Sequence, residues 1–197
     1  MTSPTNPNSN IDAITAVYSS TRADNSSIMN IGLALVGVGA TYAVGTLAFA
    51  DKFGSVIPWN LVPALPLLMW MIAAFHSQLT ICAMLNAVTI QRLEKELLLR
   101  TGLAQSIRDV IGYTPTEKIM NIMISRWPHK ITTAITYVGV FVVVGGYTAY
   151  VLVKASAHIG GMIYVYGAIY AGAAVAVLWA WQDGLQQSED NKREAGL

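Results

Sequence analysis

Hydrophobic and polar positions in this chain fall into long blocks. Ile28 to Ala50 contains no Asp, Glu, Lys, Arg or His, and Leu61 to Leu85 contains one His. Ile131 to Val153 and Met162 to Trp181 hold no ionisable side chain other than tyrosine. A helix needs about 20 apolar residues to cross ~30 Å of hydrocarbon, and each block meets that length. The pattern predicts an all-α, polytopic membrane protein with four transmembrane helices. The polar stretches then divide the chain into a polar, amphipathic N-terminal segment (1–27), a first transmembrane pair (28–91), a helical module (92–130), a second transmembrane pair (131–182) and a polar C-terminal tail (183–197).

Within those segments the spacing is finer. Asn10 is a candidate cap before Ile11, Ile14, Val17 and Tyr18, which recur at helical spacing. They predict a short amphipathic helix that either lies on the inner membrane surface or packs on the central module. Ala48-Phe49-Ala50 imitates a signal-peptidase site, but the apolar run before it exceeds the ~7–15 residues of a signal core, so it reads as a retained first span. Pro63 and Pro66 open the second span, where a first helical turn tolerates proline. No charge occurs between Phe53 and Gln91. Ile90, Leu93 and Leu97 carry the apolar stripe onward, Glu96 and Arg100 form a favourable i,i+4 pair, and Gly102 is a natural stop. The second helix should therefore run past the membrane. Thr114-Pro115-Thr116-Glu117 has the form of a capping box before an interfacial helix bearing Ile119, Met120, Met123, Ile124 and Trp127. Pro128 should break the chain there. Lys154 to Gly161 should be a tight connection between spans three and four, and the tail beyond Trp181 should fray.

Charge supplies the orientation. The 197 residues carry 12 Lys and Arg against 11 Asp and Glu, and only 12% of residues are charged, about half the soluble norm. With four spans, ten of the basic residues fall on the side shared by the two termini and the 92–130 module; Lys52 and Lys154 fall opposite. The positive-inside rule places both termini and the module in the cytoplasm, which for a bacterial chain means a multi-pass inner-membrane protein. Arg92, Lys95, Arg100 and Arg108 become the candidate surface for a cytosolic protein partner. A net charge of +1 gives no reason to expect direct nucleic-acid binding. Cys82 is the only cysteine, so no intrachain disulfide can form.

Candidate chemistry is sparse. His76 and Gln78 are the strongly polar residues well inside a span, and an intramembrane ionisable group is a functional-site hypothesis by default. The first reading for His76 is a structural hydrogen bond to a carbonyl or tyrosine. A pore-lining or proton-sensing role and a metal or haem ligand are the alternatives, the last disfavoured because His129 and His158 lie at other depths. Tyr137, Tyr147, Tyr150, Tyr164, Tyr166 and Tyr170 crowd the last two spans; Tyr147 and Tyr170 sit mid-span, need hydroxyl partners and could face a polar cavity. Gly145 and Ala149, with Ala168, Gly172, Ala176 and Ala180, keep four-residue spacing and form the strongest helix-contact signal. Packing of this stripe against span three is the first reading and a subunit interface the second. No zinc motif, nucleophile elbow, cysteine pair or intramembrane carboxylate pair occurs, so no enzyme activity, metal or cofactor is expected.

Tyr18 and Arg22 before span one, Pro66, Trp70 and His76 on span two, and the run Ile90-Gln91-Arg92-Leu93-Glu94 together resemble small bacterial four-helix inner-membrane proteins of unknown activity. Some of these are similar to membrane components of phage-defence or abortive-infection systems. That resemblance implies a homo-oligomer working with a cytosolic partner or perturbing the membrane. A channel or transporter for a small solute or ion, with His76, Gln78, Tyr147 and Tyr170 on its pathway, is the competing expectation.

Overall fold

The computed structural model describes residues 7–101 and 126–196. Among them are four long helices: α1 (Pro7–Ala48), α2 (Leu65–Thr101), α3 (Trp127–Ile159) and α4 (Met162–Glu194). Each is long and apolar enough to cross a membrane. The exposed surface explains why a bilayer is required. Leu33, Val44, Met71, Ile135, Val142, Val153, Val175 and Trp179 are all more than half exposed, which water would penalise and lipid does not. This is an all-α, multi-pass membrane protein.

α1 is one unbroken helix of 42 residues, so the N-terminal amphipathic segment and span one are a single element. No proline interrupts the chain between Pro7 and Pro58. In the polar stretch the hydroxyls of Thr15 and Thr21 each bond to the carbonyl four residues back, at 2.9 Å, so these side chains are satisfied without leaving the helix. α2 likewise continues beyond its apolar stretch to Thr101, as the charge pattern predicts.

The linkers are tight. After α1 come two 3-10 turns, Ala50–Lys52 and Val62–Ala64. Between them Gly54 has φ +86°, and a Cβ there would stand 2.2 Å from the Trp59 indole nitrogen, so the position admits only glycine. α3 extends to Ile159, leaving just Gly160 and Gly161 before α4. The connection is thus shorter than the Lys154–Gly161 span that the sequence suggests, because nothing breaks the helix before Gly160, whose φ is +54°. The tail departs from expectation too. It does not fray at Trp181; α4 runs to Glu194, with Lys192 and Arg193 in its last turn, where cations complement the helix dipole. Pro128 occupies the first turn of α3, which begins at Trp127, and there its missing N–H costs nothing. Gly102, Thr114 to Glu117 and the Ile119 to Ile124 stripe lie outside the described residues.

The chain divides into two compact units, one of the described residues among 1–30, 81–133 and 185–197, the other of 31–80 and 134–184. The first is centred on one face of α2: Ala83, Ala87, Ile90, Gln91 and Glu94 recur at helical spacing and are buried. The second has an aromatic and aliphatic core of Phe53, Val62, Met69, Trp70, Val144, Tyr147, Val151, Tyr170 and Val177. Its helices are joined by hydrogen bonds. Trp70 Nε1 donates to Thr148 Oγ1 at 3.0 Å, and Thr148 in turn donates to the Val144 carbonyl. Tyr42 donates to the Leu65 carbonyl at 2.9 Å, and the Thr46 and Tyr147 hydroxyls are 2.8 Å apart. In hydrocarbon each such bond contributes about 0.6–2 kcal/mol.

Candidate functional site

The proline-rich entry to α2 explains where the tyrosines go. Pro63 and Pro66 lack N–H groups, so this turn has fewer donors than carbonyls. Tyr170 donates to the Pro63 carbonyl and Tyr166 to the Asn60 carbonyl. The partner that mid-span Tyr170 needs is therefore backbone, and that of Tyr147 is Thr46; both rings are buried in the core. Beside them Trp59 stacks on His158, with ring centroids 3.7 Å apart and planes 3° from parallel. Lys154 approaches Asp51 at 3.7 Å, but Asp51 is fully in the open, so this pair contributes little.

His76 is placed differently. It is half-buried on α2 and lines a cleft of about 310 Å³ formed with Val36, Gly39, Met69, Ile72, Gly139 and Val143, among others. The lining is apolar apart from His76 and Thr136. Gly32 lies against the imidazole: a Cβ there would come 3.4 Å from Nδ1. Nδ1 is shielded from solvent and has no hydrogen-bond partner among the described residues, so the expected structural bond is not made through this atom. Gln78, two residues on, is exposed on another face of α2. The four pathway candidates are accordingly distributed rather than gathered: His76 in the cleft, Gln78 outside it, Tyr147 and Tyr170 in the core.

The small-residue stripe also differs from its first reading. Ala168, Gly172 and Ala176 are exposed, and a Cβ at Gly172 would meet no atom within 4 Å. Gly145 is likewise open at its Cβ position, and Ala149 is exposed. α4 instead turns Tyr166, Tyr170, Ala173, Ala174 and Val177 to the core. Positions 170 and 172 are 200° apart on a helix, so a face that buries Tyr170 must turn Gly172 outward. The stripe does not pack on span three.

The first unit holds a polar clasp. Arg22 Nη1 donates to the Tyr18 hydroxyl at 2.7 Å, and that hydroxyl donates to Glu94 Oε1 at 3.0 Å, joining α1 to α2. Tyr18 lies ten residues before the apolar block of α1. Burial, then the Glu94 carboxylate, raises its pKa, so at neutral pH it remains a phenol able to donate. Tyr18 and Arg22 stand out in the sequence, but their link to Glu94, 76 positions away, does not. Of the proposed partner surface, Arg92 is exposed. Lys95 Nζ donates to the Gly196 carbonyl at 3.0 Å. Arg100 is held by Glu96 at 2.7 Å, and Arg108 lies outside the described residues. Among the described residues no group of three His, Cys, Asp or Glu converges.

What is established is a four-helix, membrane-spanning, all-α architecture; no protein-family model, curated protein or solved structure matches this chain.

Proposed function

We propose that this protein is a non-enzymatic, oligomeric inner-membrane effector or sensor, with both termini and the 92–130 segment in the cytoplasm. The observation that carries the reading is the outward-facing small-residue face of α4, in which Ala168, Gly172 and Ala176 are exposed and Gly172 is open beyond its Cα. Such faces let helices from separate subunits approach closely, and van der Waals packing then drives association in lipid. On this reading the assembled spans either localise a cytosolic partner, met by Arg92 and its basic neighbours, or breach the membrane on a signal. Phage defence is the context suggested by the architectural resemblance.

The test is the mass of the protein–detergent particle by light scattering or native mass spectrometry. Wild type should be a stable oligomer, and Gly172→Leu should dissociate it while retaining helicity. A strictly monomeric wild-type particle would overturn the reading. The competing reading, a small-solute or ion pathway near His76, draws on the cleft in the second unit. It requires histidine-dependent flux through proteoliposomes with no partner present.

A further inference from the structure

One aromatic contact joins the α1–α2 linker to the end of α3. Trp59, in that linker, stacks on His158 with ring centroids 3.7 Å apart and planes 3° from parallel. The indole is also fixed from the linker side. Position 54 accommodates it only because glycine has no Cβ, which would stand 2.2 Å from the indole nitrogen. Around Trp59 the backbone is closed by bonds from the Leu61 and Val62 amides to the Pro58 carbonyl, at 2.8 and 3.3 Å. His158 belongs to the last turn of α3 and is exposed, so it exchanges protons directly with solvent. The linker is thus tied to α3 through the side-chain type that ordinarily changes charge between pH 5 and 8.

Protonation acts on this contact in a defined direction. A neutral imidazole holds the indole by apolar contact alone. An imidazolium adds the attraction of a cation for an aromatic face, and tryptophan offers the strongest such face. The same charge answers the terminal carbonyls of α3, which lack partners within the helix. Among the neighbouring groups, Lys154 lies one turn earlier on α3 and opposes a second cation. Its own charge is answered from the linker, where Asp51 approaches it at 3.7 Å. Lys52 stands over the Phe49 ring. Tyr164 and Tyr166, at the start of α4, present only hydroxyls, and that of Tyr166 donates to the Asn60 carbonyl. Closure of the linker and protonation of the ring therefore favour each other. The linker is held most firmly at acid pH and loosens as pH rises through the imidazole range.

We propose that the Trp59–His158 stack is a proton-responsive latch between the α1–α2 linker and the end of α3. It closes more firmly when the membrane face that carries both short linkers is acidified. The proposed sensor then gains a stimulus, and that use of the latch rests on the sensor reading. The latch itself is built within one chain and needs no oligomer.

Amide hydrogen exchange of the full-length protein in lipid nanodiscs reads linker opening directly. It is measured at pH 5.5 and 7.5 and corrected for the intrinsic pH dependence of exchange. Protection of the Leu61 and Val62 amides should be roughly three- to tenfold higher at the lower pH, while core amides around Val144 and Tyr147 stay unchanged. His158→Phe keeps a stacking ring with no proton to gain, and should show equal protection at both values. Lys154→Gln removes the opposing charge and should enlarge the acid effect. Equal or lower linker protection at pH 5.5 in the wild type overturns the proposal without any variant. So does an acid effect that persists in His158→Phe. Particle mass does not enter these readouts, so the latch and the oligomeric reading fail separately.

Discussion

Removing the Tyr18 hydroxyl is the perturbation whose consequence is most fully determined by the geometry. Tyr18→Phe keeps the ring and its packing but deletes the oxygen that accepts from Arg22 at 2.7 Å and donates to Glu94 at 3.0 Å. Glu94 is 8% exposed, so its carboxylate loses a donor that water cannot fully replace. Hydrogen bonds to charged groups contribute about 1.5–3 kcal/mol, and the partial exposure of Tyr18 moves the expectation to the low end, about 1–2 kcal/mol. Glu94→Leu removes the acceptor as well as its desolvation cost, so Tyr18→Phe in that background should cost less than ~0.5 kcal/mol. The assay is reversible unfolding of the purified protein by SDS in mixed micelles, followed by far-UV circular dichroism and read as a double-mutant cycle. Because the folded-state pKa of Tyr18 is raised above 10.0, the clasp's contribution is complete below that value and declines as pH rises beyond it. The Tyr18→Phe difference should therefore be flat between pH 7 and 9. Equal effects of Tyr18→Phe with and without Glu94, or a difference that vanishes already at pH 8, would refute the reasoning.

Other consequences follow from the linkers and core. Gly54→Ala combines a φ of +86° with a Cβ 2.2 Å from Trp59, whereas Gly160→Ala carries φ +54° and meets nothing. The first should cost clearly more than the ~1–2 kcal/mol that a left-handed L residue costs, and the second no more than that. Both are measured by the same unfolding titration. Trp70→Phe deletes the donor to Thr148 and some core volume, with an expected loss of about 1–3 kcal/mol. Tyr170→Phe leaves the Pro63 carbonyl without that donor and should cost about 1 kcal/mol, with no change in helicity.

The fold was legible because its strongest signal, an uncharged run long enough to cross a bilayer, needs no knowledge of partners. The inward faces were not legible, for a reason peculiar to membranes. Lipid and protein core are both apolar, so hydrophobicity does not distinguish the side of α4 bearing Tyr170 from the side bearing Gly172. Four-residue spacing marks both stripes, and small size suggested the wrong one for contact with α3. Helix ends were obscured by a related effect. The polar residues of 10–27 and 183–194 read as surface or fraying segments, yet a polar stretch that makes its own i,i+4 bonds can simply continue a helix already nucleated in lipid. The position of His76 was visible as an anomaly of composition, but the cleft around it depends on Val36, Gly39, Gly139 and Val143, which arrive from two other helices and carry no chemical signature. The clasp was hidden for the same reason, since nothing local ties Tyr18 to Glu94.

The central claim is that lipid surrounds four spans of this chain and that its basic middle shares one face with both ends. Reporter fusions active on only one side of the membrane, placed at Met1, within 92–130, at Gly160–Gly161 and after Leu197, test it directly. The account predicts cytoplasmic reporting at both termini and in the central segment, and the opposite face at Gly160–Gly161. Termini on different faces, or a central segment reporting with Gly160–Gly161, would contradict it.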